Sequence, residues 1–76
     1  MKPDLKTIAR QIEKHIPTVK TVCVPETCQI IATFSTRPDI EIDLLTPWHR
    51  LLVMRGAFDA LDLTELIESV KSIESA

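Results

Sequence analysis

Apolar side chains recur along this chain with three different periods, and each change of period marks a change of element. From residue 4 to residue 16, Leu5, Ile8, Ile12 and Ile16 fall three or four apart with Ala9 beside them. That spacing draws one apolar stripe along an α-helix. Pro3 suits the first turn, where no backbone donor is needed, and Asp4 sits at the positive end of the helix dipole. Pro17 stops the helix by pushing residue 16 out of the α region.

The period then falls to two. Residues 18–24 and 28–35 are rich in β-branched side chains and predict a hairpin. Pro25 cannot enter the tightest hairpin turns, because its φ is held negative, so residues 24–27 are expected as a loop of about four residues. A symmetric loop sets Cys23 opposite Cys28, Thr21 opposite Ile30 and Val19 opposite Ala32. The core face then carries Val19, Cys23, Cys28, Ile30, Ala32 and Phe34, and Val22, Ile31 and Thr33 face away. After Arg37-Pro38-Asp39, residues 40–45 alternate again, with Ile40, Ile42 and Leu44 inward and Glu41 and Asp43 outward. Leu45 breaks the alternation and is expected on the outer face with Val22 and Ile31.

A helical period returns at Thr46-Pro47, a capping hydroxyl followed by proline at the first helical position. Residues 47–55 are expected as a short helix ended by Gly56, against the competing reading of 51–54 as a fourth strand. Residues 57–61 are expected to connect. Asp62 is then the predicted cap of a last helix, with Glu65 three residues on and Leu63, Leu66, Ile67, Val70 and Ile73 as its apolar stripe. The expected architecture is one α+β domain: a three-stranded antiparallel meander with an N-terminal helix and C-terminal helices, in the order α-β-β-β-α-α.

Composition narrows the function classes. A chain of 76 residues hides only about 60% of the surface its unfolded form exposes, so self-association would add stability that one copy lacks. The single glycine, Gly56, excludes a glycine-rich phosphate-cradling loop. No segment approaches the ~20 apolar residues of a membrane span, and residues 1–10 lack the apolar run of a signal peptide. The expectation is a cytoplasmic protein with no membrane contact. Net charge is -2, with five of the nine basic side chains in the first twenty residues. The N-terminal arm is therefore basic and the remainder acidic.

Four groups of residues could carry function. Opposed Cys23 and Cys28 would have α-carbons within disulfide range, about 4.5–5.5 Å apart; their commoner role is as reduced, buried thiols. C-x4-C is not the C-x-x-C redox spacing. His15 and His49 stand at unrelated places in the pattern, so neither a metal site nor a cofactor is expected. Trp48, Arg50 and Arg55, with His49 among them, could build a partner-binding edge, since Trp and Arg are frequent interface hot spots. The helix pattern also places Trp48, Leu51, Leu52 and Arg55 on one face, which predicts Trp48 as a core plug with Arg55 at its margin. Lys2, Lys6, Arg10 and Lys14 make a basic stripe on the first helix, most simply a solvated face and otherwise one suited to an acidic protein surface. Aromatic side chains for base stacking are absent from that stripe and the whole chain is acidic, which argues against nucleic acid. Asp39, Glu41 and Asp43 lie on one side of a strand; such acids can serve acid–base or magnesium chemistry, but more often form the wet side of an edge strand, where charge blocks edge-to-edge aggregation.

The expected function is non-catalytic: a small regulatory or accessory module that binds another protein through Lys6, Arg10, Lys14, Trp48, Arg50 and Arg55. Self-association as a homodimer is a further expectation, because Val22 and Ile31 leave the second sheet face apolar. The rival readings are a nucleic-acid-binding accessory protein using the basic helix face, and a small redox or enzymatic protein using Cys23 and Cys28.

Overall fold

In the computed structural model, which describes residues 4–76, every expected element is present and in the expected order. The expectations for Lys2 and Pro3 lie outside the described residues. Helix α1 spans Leu5–His15, strand β1 Val19–Val24, strand β2 Gln29–Phe34, strand β3 Glu41–Asp43, helix α2 Pro47–Arg55 and helix α3 Ala60–Ser75. The sheet order is β1-β2-β3, antiparallel throughout.

Helix α1 starts because the Asp4 carboxylate accepts the Thr7 backbone N–H at 2.8 Å. Its stripe of Ile8, Ala9 and Ile12 is buried, and it packs against β1, β2 and α3. From the same helix Glu13 reaches the outer edge of β1, where its Oε2 accepts the Thr21 backbone N–H at 2.9 Å and the Thr21 hydroxyl at 2.8 Å. That carboxylate occupies a donor which an exposed strand edge would otherwise offer to another chain.

The hairpin register differs from the symmetric expectation by two residues. Cys23 faces Ile30, Thr21 faces Ala32 and Val19 faces Phe34. The loop is 25–28 rather than 24–27: Pro25–Thr27 form a 3-10 turn, and Cys28 closes it in the left-handed region at φ 53. A shift of two preserves which side chains share a face, so Val19, Ile30, Ala32 and Phe34 are buried as expected. Cys28 leaves the strand altogether.

Strand β3 is shorter than the expected 40–45. The chain bends after Asp43 with the Leu44 N–H still donating to the Ile30 carbonyl at 2.8 Å. The bend carries Leu45 into the core at 1% exposure, next to buried Leu44, and not onto the outer face. Strand alternation lapses once the backbone leaves the pleat.

Thr46 caps α2 as expected, its Oγ1 accepting the His49 N–H at 3.1 Å, and Gly56 ends the helix at φ 68, a conformation that a Cβ would penalise. The rotation of α2 is not the expected one. Trp48 is 62% exposed, while His49, about 100° round the helix, is buried and Leu52 and Val53 pack on the core. A helix with apolar side chains on every side carries no stripe to say which side turns inward, and packing of Leu52 and Val53 on the core decides it here. Helix α3 begins one turn earlier than expected. Asp59 is the cap, accepting from Leu61 N and Asp62 N at 3.0 Å, while Asp62 returns the bond by accepting the Asp59 N–H at 2.9 Å. This reciprocal box is an Asp-x-x-Asp variant of the usual pattern, and it replaces the expected Asp62–Glu65 pair. Among the described residues, no helix is long and apolar enough to cross a membrane.

Candidate functional site

Burial of one sheet face under α1 and α3 leaves the other to solvent. Its rows run Lys20–Thr33–Glu41 and Val22–Ile31–Asp43 across the three strands. Val22 is 64% exposed and Ile31 is half-buried at the centre of the face. Glu41 and Asp43 are exposed at the β3 edge, and Asp43 accepts a hydrogen bond from Gln29 Nε2 at 2.7 Å.

The outer side of α2 is the second uncovered apolar surface. Trp48 and Met54 are exposed, Leu51 is half-buried between them, and Arg50 and Arg55 flank them. On α1, Lys6, Arg10 and Lys14 are all exposed on the side opposite its buried stripe. The three lysine and arginine positions thus share a face, while Trp48 sits with the two α2 arginines on a separate helix.

The cysteines do not form the opposed pair. Both thiols are free. Cys23 is half-buried on β1, and Cys28 lies in the hairpin loop with its Sγ 4.0 Å from the Arg50 carbonyl oxygen. The register places Ile30, not Cys28, across from Cys23.

The sequence pattern offers His49 no partner. The fold supplies two. His49 Nε2 lies 3.9 Å from Glu65 Oε2, and ligand atoms of His49, Asp62 and Glu65 all fall within 4.8 Å of one another. The imidazole is held from both sides: Nδ1 is 2.8 Å from Thr46 Oγ1, and the edge of the ring meets Phe58 at a centroid distance of 5.9 Å. His49 is 9% exposed, yet its Nε2 has no hydrogen-bond partner among the described residues. The only hint in the sequence is Asp62 and Glu65 three residues apart, a spacing that puts both on one side of a helix; nothing in it aims His49 at them.

Three carboxylates have their acidity set by hydrogen bonds. The Thr7 backbone N–H, followed by the Thr7 hydroxyl, holds Asp4 below the ordinary value near 3.8. The Asp62 backbone N–H does the same for Asp59. The hydroxyls of Thr18 and Thr36 both donate to Glu74 Oε2 and lower its pKa, which ties the end of α3 to the open end of the β1–β2 hairpin, just before β1 and just after β2. Hydrogen bonds to the charged form favour it.

Clefts indent the surface formed by the described residues. One of about 390 Å³ lies between α1 and the start of α3, lined by Ile8, Gln11, Phe58, Asp59 and Leu63; another, about 320 Å³, is lined by Leu5, Lys6, Cys23 and Pro25. Neither brings a nucleophile together with a histidine among the described residues. No family model, curated protein or solved structure matches this chain.

Proposed function

We propose that this protein is a small cytoplasmic regulatory or accessory module, without catalysis of its own, that binds another protein through the outer side of α2. The observation that carries this reading is the pairing of exposed Trp48 and Met54 with Arg50 and Arg55 on a helix whose opposite side is already in the core. Trp, Met and Arg are among the residues enriched where proteins meet. A nine-residue helix with apolar side chains on both sides has no reason to stay in water alone. The matching surface is an apolar groove rimmed by carboxylates, which would seat Trp48 and pair the two guanidiniums. The exposed Lys6, Arg10 and Lys14 on α1 offer a second contact for the same kind of acidic surface.

The test compares variants. The wild-type chain, Trp48→Ala and the double variant Arg50→Glu/Arg55→Glu are immobilised and exposed to extract of the native host. A protein retained by wild type and lost by both variants, yet kept by Val22→Ala, supports the reading. Retention that is indifferent to the α2 substitutions refutes it.

A specific observation also favours self-association through the open sheet face. Lys20 and Glu41 occupy the same row at opposite edges of the sheet, with Ile31 on the central strand. A two-fold axis parallel to β2 lays Ile31 on Ile31 and sets Lys20 of each copy over Glu41 of the partner subunit. Sedimentation equilibrium at micromolar concentration distinguishes the two surfaces: a dimer dissociated by Ile31→Asp and not by Trp48→Ala belongs to the sheet face, and a mass of one chain removes this second reading.

A further inference from the structure

A buried imidazole nitrogen without a partner is unusual. Of the two ring nitrogens of His49, Nδ1 is engaged by Thr46 Oγ1 at 2.8 Å, and Nε2 points at Asp62 and Glu65 without reaching a hydrogen bond to either. If Nε2 carried the proton of the neutral ring, it would be, as placed, a buried N–H whose nearest acceptor, Glu65 Oε2, stands beyond hydrogen-bond distance at 3.9 Å, a state proteins avoid. The arrangement is better satisfied with the proton on Nδ1, donated to Thr46 Oγ1. That leaves an Nε2 lone pair directed at two carboxylates. A lone pair facing two anions is itself repulsive unless a positive centre, a second ring proton or a bound cation, stands between them.

We propose that His49 Nε2, Asp62 and Glu65 bind a divalent cation of the zinc class. The three donors match what such an ion takes: one imidazole nitrogen and two carboxylate oxygens, with the other ring nitrogen held by a hydrogen bond that fixes the tautomer. The nitrogen donor selects against magnesium and calcium, which prefer oxygen alone. Metal–ligand distances of about 2.0–2.2 Å place tetrahedral ligand atoms about 3.4 Å apart. The present pair at 3.9 Å, in a cluster no wider than 4.8 Å, needs only a small closure. Glu65 can supply it, because its side chain is 73% exposed. Asp62 keeps one oxygen on the Asp59 N–H and offers the other. The N-terminal dipole of α3 opposes a cation there with about half a charge, and two carboxylates outweigh it. Three protein ligands leave a position for water. Because His49 comes from α2 and both acids come from α3, the ion ties the two C-terminal helices together behind the Trp48 surface.

The test uses the whole chain and zinc ion itself. Calorimetric titration should give one zinc per chain, and the His49 Nε2 resonance in a nitrogen-15 spectrum should shift on addition while that of His15 does not. Glu65→Gln and Asp62→Asn should each weaken binding by about tenfold or more. Both substitutions preserve shape, and the amide oxygen introduced by Asp62→Asn can still accept the Asp59 N–H, so folding is retained and circular dichroism checks it. Magnesium at the same concentration should leave His49 unmoved. Failure to bind zinc up to millimolar concentration overturns the proposal. So does unchanged affinity in both variants, which would assign any bound ion to Cys23, Cys28 or His15. Neither failure bears on the outer surface of α2.

Discussion

Leu45→Ala discriminates between the two positions this side chain could take. On the outer sheet face, where strand alternation puts it, truncation would change stability by less than about 0.5 kcal/mol. The structure buries it to 1% exposure beside Leu44 at the turn from β3 into α2. Removing three carbons from a buried site forfeits about 2.4 kcal/mol at ~0.8 kcal/mol per carbon. Incomplete collapse of the resulting cavity raises the loss to roughly 3 kcal/mol. A domain of this size has only about 4–11 kcal/mol in total, so the variant stays folded but loses a large part of its margin. At about 4–8 °C per kcal/mol for a small domain, the melting midpoint should fall by roughly 12–24 °C. Urea unfolding followed by far-UV circular dichroism is the assay, since exposed Trp48 is a poor reporter of the core. The midpoint should drop with the slope unchanged. Val22→Ala is the control, because Val22 is exposed and should move little in the monomer. A loss below about 1 kcal/mol at Leu45 would show that the β3–α2 turn does not carry this side chain inward, and with it the placement of α2 would fall.

Gly56→Ala should destabilise by about 1 kcal/mol, because Gly56 ends α2 at φ 68; the converse change Cys28→Gly, at φ 53, should be neutral or stabilising, and thermal unfolding reads both. Stability should decline as pH falls from about 5. Asp4, Asp59 and Glu74 all have folded pKa values below their ordinary ones, so their contributions are complete above the unfolded values and are lost as pH drops through the folded ones; a flat profile to about pH 2 would refute this. Replacing Thr18 and Thr36 together by valine should return the Glu74 carboxyl toward its ordinary value near 4.5, seen by carbon-13 titration. Mild oxidant should produce no intramolecular Cys23–Cys28 bond, read as no loss of two mass units, because the hairpin register sets Ile30 opposite Cys23.

The order of the six elements was legible in the chain, and the reason is local. A stripe at three and four residues, alternation at two, a proline after Ile16 and Thr-Pro before α2 each act within a few residues of themselves. Apart from Cys28, which left the strand, the inward set on β1 and β2 was legible too, since pairing shifted by two leaves each side chain on its face. Residues with more than one local solution were not legible. Pro25–Thr27 can turn in several ways, and a left-handed Cys28 selected the register. Asp59 and Asp62 could each cap α3, and the reciprocal bond chose Asp59. Leu45 follows a strand, but the bend after Asp43 set its direction. Helix α2 has apolar side chains on every side, so packing against the core, and no pattern of its own, turned His49 inward and left Trp48 in water. His49 thereby came within reach of two acids more than a dozen residues downstream. Local periodicity names an element because backbone geometry repeats within a turn or a pleat. Which side of an undirected helix meets the core, and which distant side chains meet as a result, is decided only when the layers close on one another.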